Sequence, residues 1–383
     1  MKTIALGEAA TIERVAVDPT QLDPETRYLG LEHIERGGAI VGYETVGGAE
    51  LTSTKFRFTA DQVLFGKLRP YLAKIALPEF SGVCSTDILP ISPRGELDRR
   101  YLAHYLRAPS VVDFASSRAT GANLPRLSPS VLASLEVPLP PLAEQRRIAA
   151  ILDHADALRA KRRASIALTD DAVRSAFDAM FGLRAPDTNR LRPSRLGNHV
   201  RSMQYGPRFY NEPYSKDGIR IVRITDLDQV GRLDFDAMPK MSLPEHVEQK
   251  YRLTTGDILF ARTGATVGKV ALMGETAPAC VAGAYFIRIK LDSSVLPEYV
   301  VASLRSPQTQ RIIWTKSHQS AQQNFSGPGL RELPLAVPPL ELQREFAGRV
   351  AAINVQRAAA ERSLASLDEL FASLQARAFS GQL

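Results

Sequence analysis

The feature that most constrains this chain is that it repeats itself once. Residues 136–148, EVPLPPLAEQRRI, superpose on residues 334–346, PLAVPPLELQREF, so that Pro140-Pro141-Leu142 matches Pro338-Pro339-Leu340 at an offset of 198. YLAHYLRAP at 101–109 matches YVVASLRSP at 299–307 at the same offset. Earlier, DQVLFGKLRPYLAK at 61–74 matches GDILFARTGATVGK at 256–269 at 195, and Leu6-Gly7 matches Leu196-Gly197 at 190. The offset only grows along the chain, as short loop insertions in the second copy would make it do. Cys84 and Cys280 also correspond, at 196. If they occupy equivalent cores they cannot bond to each other, and two cysteines are too few for a disulfide framework or a thiolate zinc site.

Each copy has a globular part and a helical part. The globular part is rich in Gly, Pro and β-branched residues, with short runs at Val63–Phe65, Ile219–Ile224 and Phe286–Ile289 that read as strands, and helical stretches at 98–107 and 297–306. After Pro140-Pro141, residues 143–181 contain neither proline nor glycine, which permits one helix of roughly 58 Å. Residues 341–379 repeat this with Gly348 as the only glycine. Helices this long need a partner along their length. A seven-residue series, Phe346, Ile353, Ala360, Leu367 and Leu374, with Val350, Arg357, Leu364, Phe371 and Ala378 four later, supplies an apolar stripe. The first copy gives Ile148, Ala155, Arg162, Thr169, Ala176 and Leu152, Arg159, Ile166, Val173, Met180, a more polar stripe. The expected fold is therefore α+β: two similar mixed α/β domains, 1–142 and 183–340, joined by long helices at 143–182 and 341–383 packed as an antiparallel coiled coil with an internal pseudo-twofold repeat.

Composition bounds the function classes. Lys and Arg number 48 against 41 Asp and Glu, a formal charge of +7 that permits a polyanion partner without demanding one. No apolar run reaches the roughly 18 residues of a membrane span, and Glu8 and Glu13 interrupt the first apolar stretch, so neither a membrane protein nor a signal peptide is expected, and a cytoplasmic chain is. The six histidines, at 33, 104, 154, 199, 246 and 318, show no metal-ligand spacing. Gly264-Ala-Thr-Val-Gly268-Lys269 imitates a phosphate-binding loop, but has three residues between its glycines and Val270 where a Ser or Thr should hold magnesium. A turn is the better reading.

Two globular parts, each followed by PPL-x-x-Q and a long helix, resemble the specificity subunit of a type I restriction-modification system. The residues that carry the resemblance are Pro138 to Gln145, the Ile148-Ala-x-Ile-Leu-x-x-x-Asp156 string, Val337 to Gln343, the LF-x-R-T-G-x-x-x-G-K string at Leu259–Lys269, and Ala378-Phe-Ser-Gly-Gln-Leu383. Two departures stand out: Leu342 replaces the Glu of the first copy's Glu-Gln pair, and Lys67-Leu68-Arg69-Pro70 replaces the first Arg-Thr-Gly. The resemblance implies a non-catalytic chain that reads double-stranded DNA. Each globular part would be a target recognition domain on one half of a split, asymmetric site, with the helices fixing the gap. It implies two modification (methyltransferase) subunits as partners, which restriction subunits can join. S-adenosylmethionine, ATP and magnesium would sit on those partners, with no cofactor on this chain. In keeping with this, the sequence has no N/D-P-P-Y/F tetrapeptide to grip a flipped adenine: its double prolines lie in LPPL and VPPL.

Reading bases needs Arg or Lys for guanine and Asn or Gln for adenine, so the candidate DNA contacts are loops where these cluster. In the second half they are Lys316, Gln319, Gln322, Gln323 and Asn324. Their counterparts in the first half are Arg118, Asn123 and Arg126. A second matched pair sets Lys67, Arg69, Tyr71 and Lys74 against Arg262, Thr263 and Lys269. Gln204, Tyr205 and Arg208 lack a strong counterpart in the first half. On the helices, Arg146, Arg147, Lys161 and Arg163 are candidates for meeting the modification subunits. Two other classes stay open: a recognition subunit or module of a related restriction-modification enzyme without a separate ATP-driven restriction subunit, and a coiled-coil adaptor that never touches DNA.

Overall fold

The computed structural model of the protein describes residues 2–182, 190–209, 213–228, 230–317 and 323–383. It divides into two compact units, 1–162 with 363–383, and 163–362. The division falls within the two long helices, Leu142–Phe181 and Leu340–Ser380, so each unit holds one globular part and a segment of both helices. No helix among the described residues is long and apolar enough to cross a membrane.

In the first unit a four-stranded antiparallel sheet runs in the order Ala10–Ile12, Ile88–Pro93, Val63–Gly66, Ile75–Ala76. In the second, Val200–Tyr205, Phe286–Leu291, Ile258–Ala261 and Val270–Leu272 take the same order. Even the register is kept: Phe65 lies opposite Leu89, and Phe260 opposite Ile287. These central strands are buried on both faces, which is why they read as continuous apolar runs rather than alternating ones. The run at Ile219 ends at Val222, not Ile224, because the Asp226 carboxylate accepts the Arg223 backbone N–H at 2.8 Å and turns the chain.

A second sheet in each unit contains one parallel pair, Arg27–Leu29 with Gly82–Cys84, and Ile219–Val222 with Cys280–Ala282. Both cysteines are free and fully buried there, and burial pushes the Cys84 thiol up to about 12 and the Cys280 thiol up to about 11. They are inert core residues. The sheets differ at their margins, with five strands in the first unit and three in the second among the described residues.

The PPL-x-x-Q motif has a structural cause. Gln145 is fully buried at the start of its helix, where its amide donates to the carbonyls of Glu96 and Pro140, both at 2.8 Å, and accepts from the Asp98 N–H at 2.8 Å. Gln343 repeats this with Ser294 at 3.4 Å, Pro338 at 2.8 Å and the Leu296 N–H at 2.7 Å. The glutamine thus closes three backbone groups at the helix start, one buried and two part-buried. The Glu missing from the second copy is immaterial to this bond set, since in the first copy Glu144 is part-exposed and pairs with Arg147.

Within each unit the helix segments run antiparallel. In the first, Ile148, Ala149 and Leu152 share a core with Leu374 and Ala378, and further along Arg159 donates to Asp368 at 2.5 Å with its guanidinium 4.3 Å from the Phe371 ring centre. In the second, Phe177 and Phe181 pack on Phe346 and Tyr299, while Arg357 pairs with Asp170 at 3.8 Å. The two Arg–Asp pairs are mates under the 198-residue offset, as are the contacts of Phe379 on Tyr101 and Phe181 on Tyr299.

Candidate nucleic-acid interface

The two matched loops meet on one backbone frame in each unit. In the first, the chain leaves Val63–Gly66 and the Lys67 N–H donates to the Asp87 carbonyl at 2.9 Å. The Lys67 carbonyl accepts the Leu127 N–H at 3.0 Å, and the Arg69 N–H reaches the Pro125 carbonyl at 2.7 Å. In the second, Arg262 N–H donates to Tyr285 at 2.9 Å, the Phe325 N–H to Arg262 at 2.8 Å, and the Gly264 N–H to Gln323 at 3.1 Å. Three segments distant in sequence are thereby laced together by main-chain bonds that do not depend on side-chain identity.

The frame needs left-handed backbone at two places. Gly264 and Gly268 have φ of +66° and +89°. At the equivalent positions the first unit puts Arg69 at +51° and Ala73 at +47°, a conformation that costs an L-residue roughly 1 kcal/mol or more. The glycines that imitate a phosphate-binding loop are therefore turn residues, around the single helical turn Gly264–Thr266.

On this common frame the side chains differ. In the first unit Asp87 holds Arg126 by two bonds, Nε to Oδ1 at 2.8 Å and Nη2 to Oδ2 at 3.1 Å, with Lys67 Nζ 3.8 Å away. The hydrogen bond to Asp87, and then its charge, raise the Arg126 guanidinium above its ordinary value. Arg69 lies alongside, donating to the Asn123 carbonyl at 3.4 Å, and Tyr71 is exposed. In the second unit the Arg262 guanidinium stacks 4.8 Å from the centre of the Tyr205 ring, whose hydroxyl accepts the Gly327 N–H at 2.9 Å. The Arg262 Nε and Thr263 hydroxyl are buried with no hydrogen-bond partner among the described residues. Tyr285, Gln323 and Asn324 are exposed around them. Gln204 joins through Arg288, whose Nη1 donates to its Oε1 at 3.5 Å, and Arg288 is itself held at 2.5 Å by the buried Asp257.

Other candidates are placed differently. The Lys74 ammonium turns inward to the Leu31 carbonyl at 2.7 Å, and Lys269 donates to the Asp228 carbonyl at 3.0 Å. Arg118 lies flat on Phe114 at 4.0 Å. Lys316 is exposed near the end of the helix Pro307–Ser317, and Arg208 is exposed beyond Val200–Tyr205. Gln319 and Gln322 lie outside the described residues. On the helices, Arg146 sits 3.9 Å from Asp98, Arg147 bonds Glu144 and the Leu383 carbonyl, and Lys161 and Arg163 are exposed. Among the described residues no three His, Cys, Asp or Glu side chains are grouped to hold a metal.

Sequence reasoning missed Asp87 and Tyr285. The available signal was their alignment at the 198 offset, each just before a buried central strand.

The fold and this frame define a class, a duplicated α+β architecture with two long helices, and comparison with known proteins shows what it is similar to. Residues 2–168 match the family model of the type I restriction modification DNA specificity domain. The chain is similar to the EcoDI specificity subunit of Escherichia coli, 31% identical over 163 residues that make up 41% of this chain and 36% of the relative. It is also similar to the EcoKI specificity subunit of E. coli K12, 24% identical over 74% of this chain and 65% of the relative, and to the StySPI subunit of Salmonella potsdam, 24% identical over 76% and 67%. It spans between about a third and two thirds of the length of these relatives. Two solved structures share the fold. One is the type I S subunit from M. genitalium, at 14% identity, TM-score 0.61, covering 99% of this chain and 96% of that one. The other comes from a study of assembly and conformational transition in a type I R-M system, at 21% identity, TM-score 0.57, covering 100% and 98%.

Proposed function

We propose that this chain is the DNA-specificity subunit of a type I restriction-modification complex. It binds a bipartite, asymmetric double-stranded site, one half per unit, and carries out no chemistry itself. The observation that carries this reading is the frame built twice, with exposed Arg126 in the first unit and exposed Tyr285 and Asn324 in the second presented from equivalent backbone positions, and a part-buried cation, Lys67 or Arg262, behind them. A purely structural helical adaptor has no use for such a pair. The long helices, each about 60 Å at 1.5 Å per residue, set the gap between half-sites, and their exposed faces with Arg146, Arg147, Lys161 and Arg163 dock two modification subunits, to which restriction subunits add. S-adenosylmethionine, ATP and magnesium belong to those partners, and the complex works in the cytoplasm.

The test is selection from a randomised duplex library by the full chain assembled with its modification subunits. Two short sequences separated by a fixed unselected gap are expected, with affinity falling steeply as salt rises. Recovery of one continuous motif, or of none, overturns the reading.

A further inference from the structure

Three backbone positions are equivalent in the two frames: Lys67, Asp87 and Arg126 in the first unit, Arg262, Tyr285 and Asn324 in the second. Resting on the DNA-reading function above, we infer that the third position is the base-reading one, with Arg126 reading a guanine in one half-site and Asn324 reading an adenine in the other.

The geometry of Arg126 supports a reader rather than a strut. A guanidinium has five donors in a fixed fork. Asp87 takes the Nε–Nη2 side and Nη1 has only a long 3.5 Å bond to the Leu124 carbonyl, so the Nη1–Nη2 end can turn its donors to the two acceptors O6 and N7 on guanine's major-groove edge. The Arg126 side chain is 44% exposed, so an isolated ion pair there contributes little to stability. Nor does the frame need the pair. The second unit has Tyr285 and Asn324 at the same places and keeps the same main-chain bonds. What Asp87 does supply is a fixed orientation for a long side chain, which removes most of the rotamer freedom that binding would otherwise have to freeze. Lys67, 3.8 Å from the same carboxylate, offsets its negative charge beside the DNA backbone. Asn324 needs no such brace. It is short, exposed, and anchored by the Thr263–Asn324 bridge, and its amide carries the one donor and one acceptor that adenine N6 and N7 require. Arg262, stacked on Tyr205, takes the place of Lys67 as the cation behind it.

The experiment repeats the library selection with Arg126→Lys, Arg126→Gln, Asp87→Asn and Asn324→Ala, each checked for an unchanged thermal midpoint. Arg126→Lys and Arg126→Gln should both lower the preference for guanine at one position of one half-site, by about tenfold to a hundredfold. The other half-site should be untouched. Asp87→Asn, which keeps the arginine and its charge, should relax the same position by a smaller factor. Asn324→Ala should lower adenine preference at one position of the opposite half-site. If Arg126→Lys selects as the wild type does while Arg126→Gln weakens all sequences alike, Arg126 holds a phosphate and the assignment is overturned. A relaxed position that is not guanine overturns it equally. A wild-type chain that selects no sequence refutes instead the DNA-reading function on which the assignment rests.

Discussion

In the first unit Gln375, on the second long helix, donates to the buried carbonyl of His104 at 3.1 Å, the His104 ring contacts Asp153 at 2.7 Å, and Asp153 pairs with Arg100 at 3.1 Å. At the same places the second unit has Phe177, Ala302, Ala351 and Glu298, and its seam is a cluster of Phe177, Phe181, Tyr299 and Phe346 rings 5.0 to 5.8 Å apart. To the ring and Arg–Asp contacts both copies share, one thus adds a chain of polar bonds and the other a cluster of tilted and edge-on rings. Duplication preserves the geometry of a seam and leaves its chemistry free, provided each copy fills its space and pairs its buried groups.

The largest test of that equivalence removes what both units share. Gln145→Leu strands three backbone groups, one buried and two part-buried, and a loss of about 3 kcal/mol is expected by urea denaturation. Gln343→Leu should cost less, about 2 kcal/mol, because one of its three bonds is stretched to 3.4 Å. Equal losses would break the ranking.

Next come the mated arginines. Arg159 bonds two carboxylates at 2.5 and 2.7 Å and covers Phe371, so Arg159→Ala should lower stability by about 2 kcal/mol. Arg357, at 3.8 and 3.7 Å from its partners, should yield about 1 kcal/mol or less in the same assay.

A smaller effect separates the seams by pH. Burial alone would raise the Asp153 carboxyl, but the hydrogen bond and charge of His104, with Arg100 and Arg107, outweigh it and hold it below the usual carboxylate value. A carboxyl depressed on folding contributes stability above its unfolded pKa and loses it as pH falls through the folded one. Asp153→Asn should therefore cost about 1 kcal/mol near neutral pH, an estimate discounted for its part-exposure, and the difference from wild type should vanish in strong acid. Ala351→Ser, at the equivalent site, should leave the pH profile unchanged.

The last expected change is a gain. Ala73→Gly relieves a left-handed alanine where the second unit already has Gly268, and a rise of about 1 kcal/mol is expected by thermal unfolding. Gly268→Ala should lose a similar amount or more.

Much of this fold was legible because duplication doubles every signal. The prolines before two uninterrupted runs mark the long helices, and apolar runs aligned at 195 and 198 mark the central strands. The antiparallel seam also followed, although Arg162 and Thr169 blur its first-copy stripe. The frame was only half legible. Lys67, Arg69 and Arg126 in the first unit, and Arg262, Thr263 and Asn324 in the second, announce themselves by type, and the structure brings each trio together within its own unit. Asp87 and Tyr285 do not announce themselves, since a single carboxylate or ring beside a strand carries no local pattern and the bonds that place it reach across about 20 to 40 residues. Where the Lys74 and Lys269 ammonium groups sit was not legible either: a basic residue in a basic string can turn to a nearby carbonyl, and only coordinates reveal which carbonyl lies within reach.

The main-chain lacing of the frame has one more consequence, and it concerns how such proteins change. Lys67, Asp87 and Arg126 can be replaced without disturbing a buried apolar residue or a backbone bond, as Arg262, Tyr285 and Asn324 demonstrate within the same molecule. On the DNA-reading function proposed above, a lineage carrying this scaffold alters its target by a few point substitutions, with almost no folding penalty standing between one target and the next.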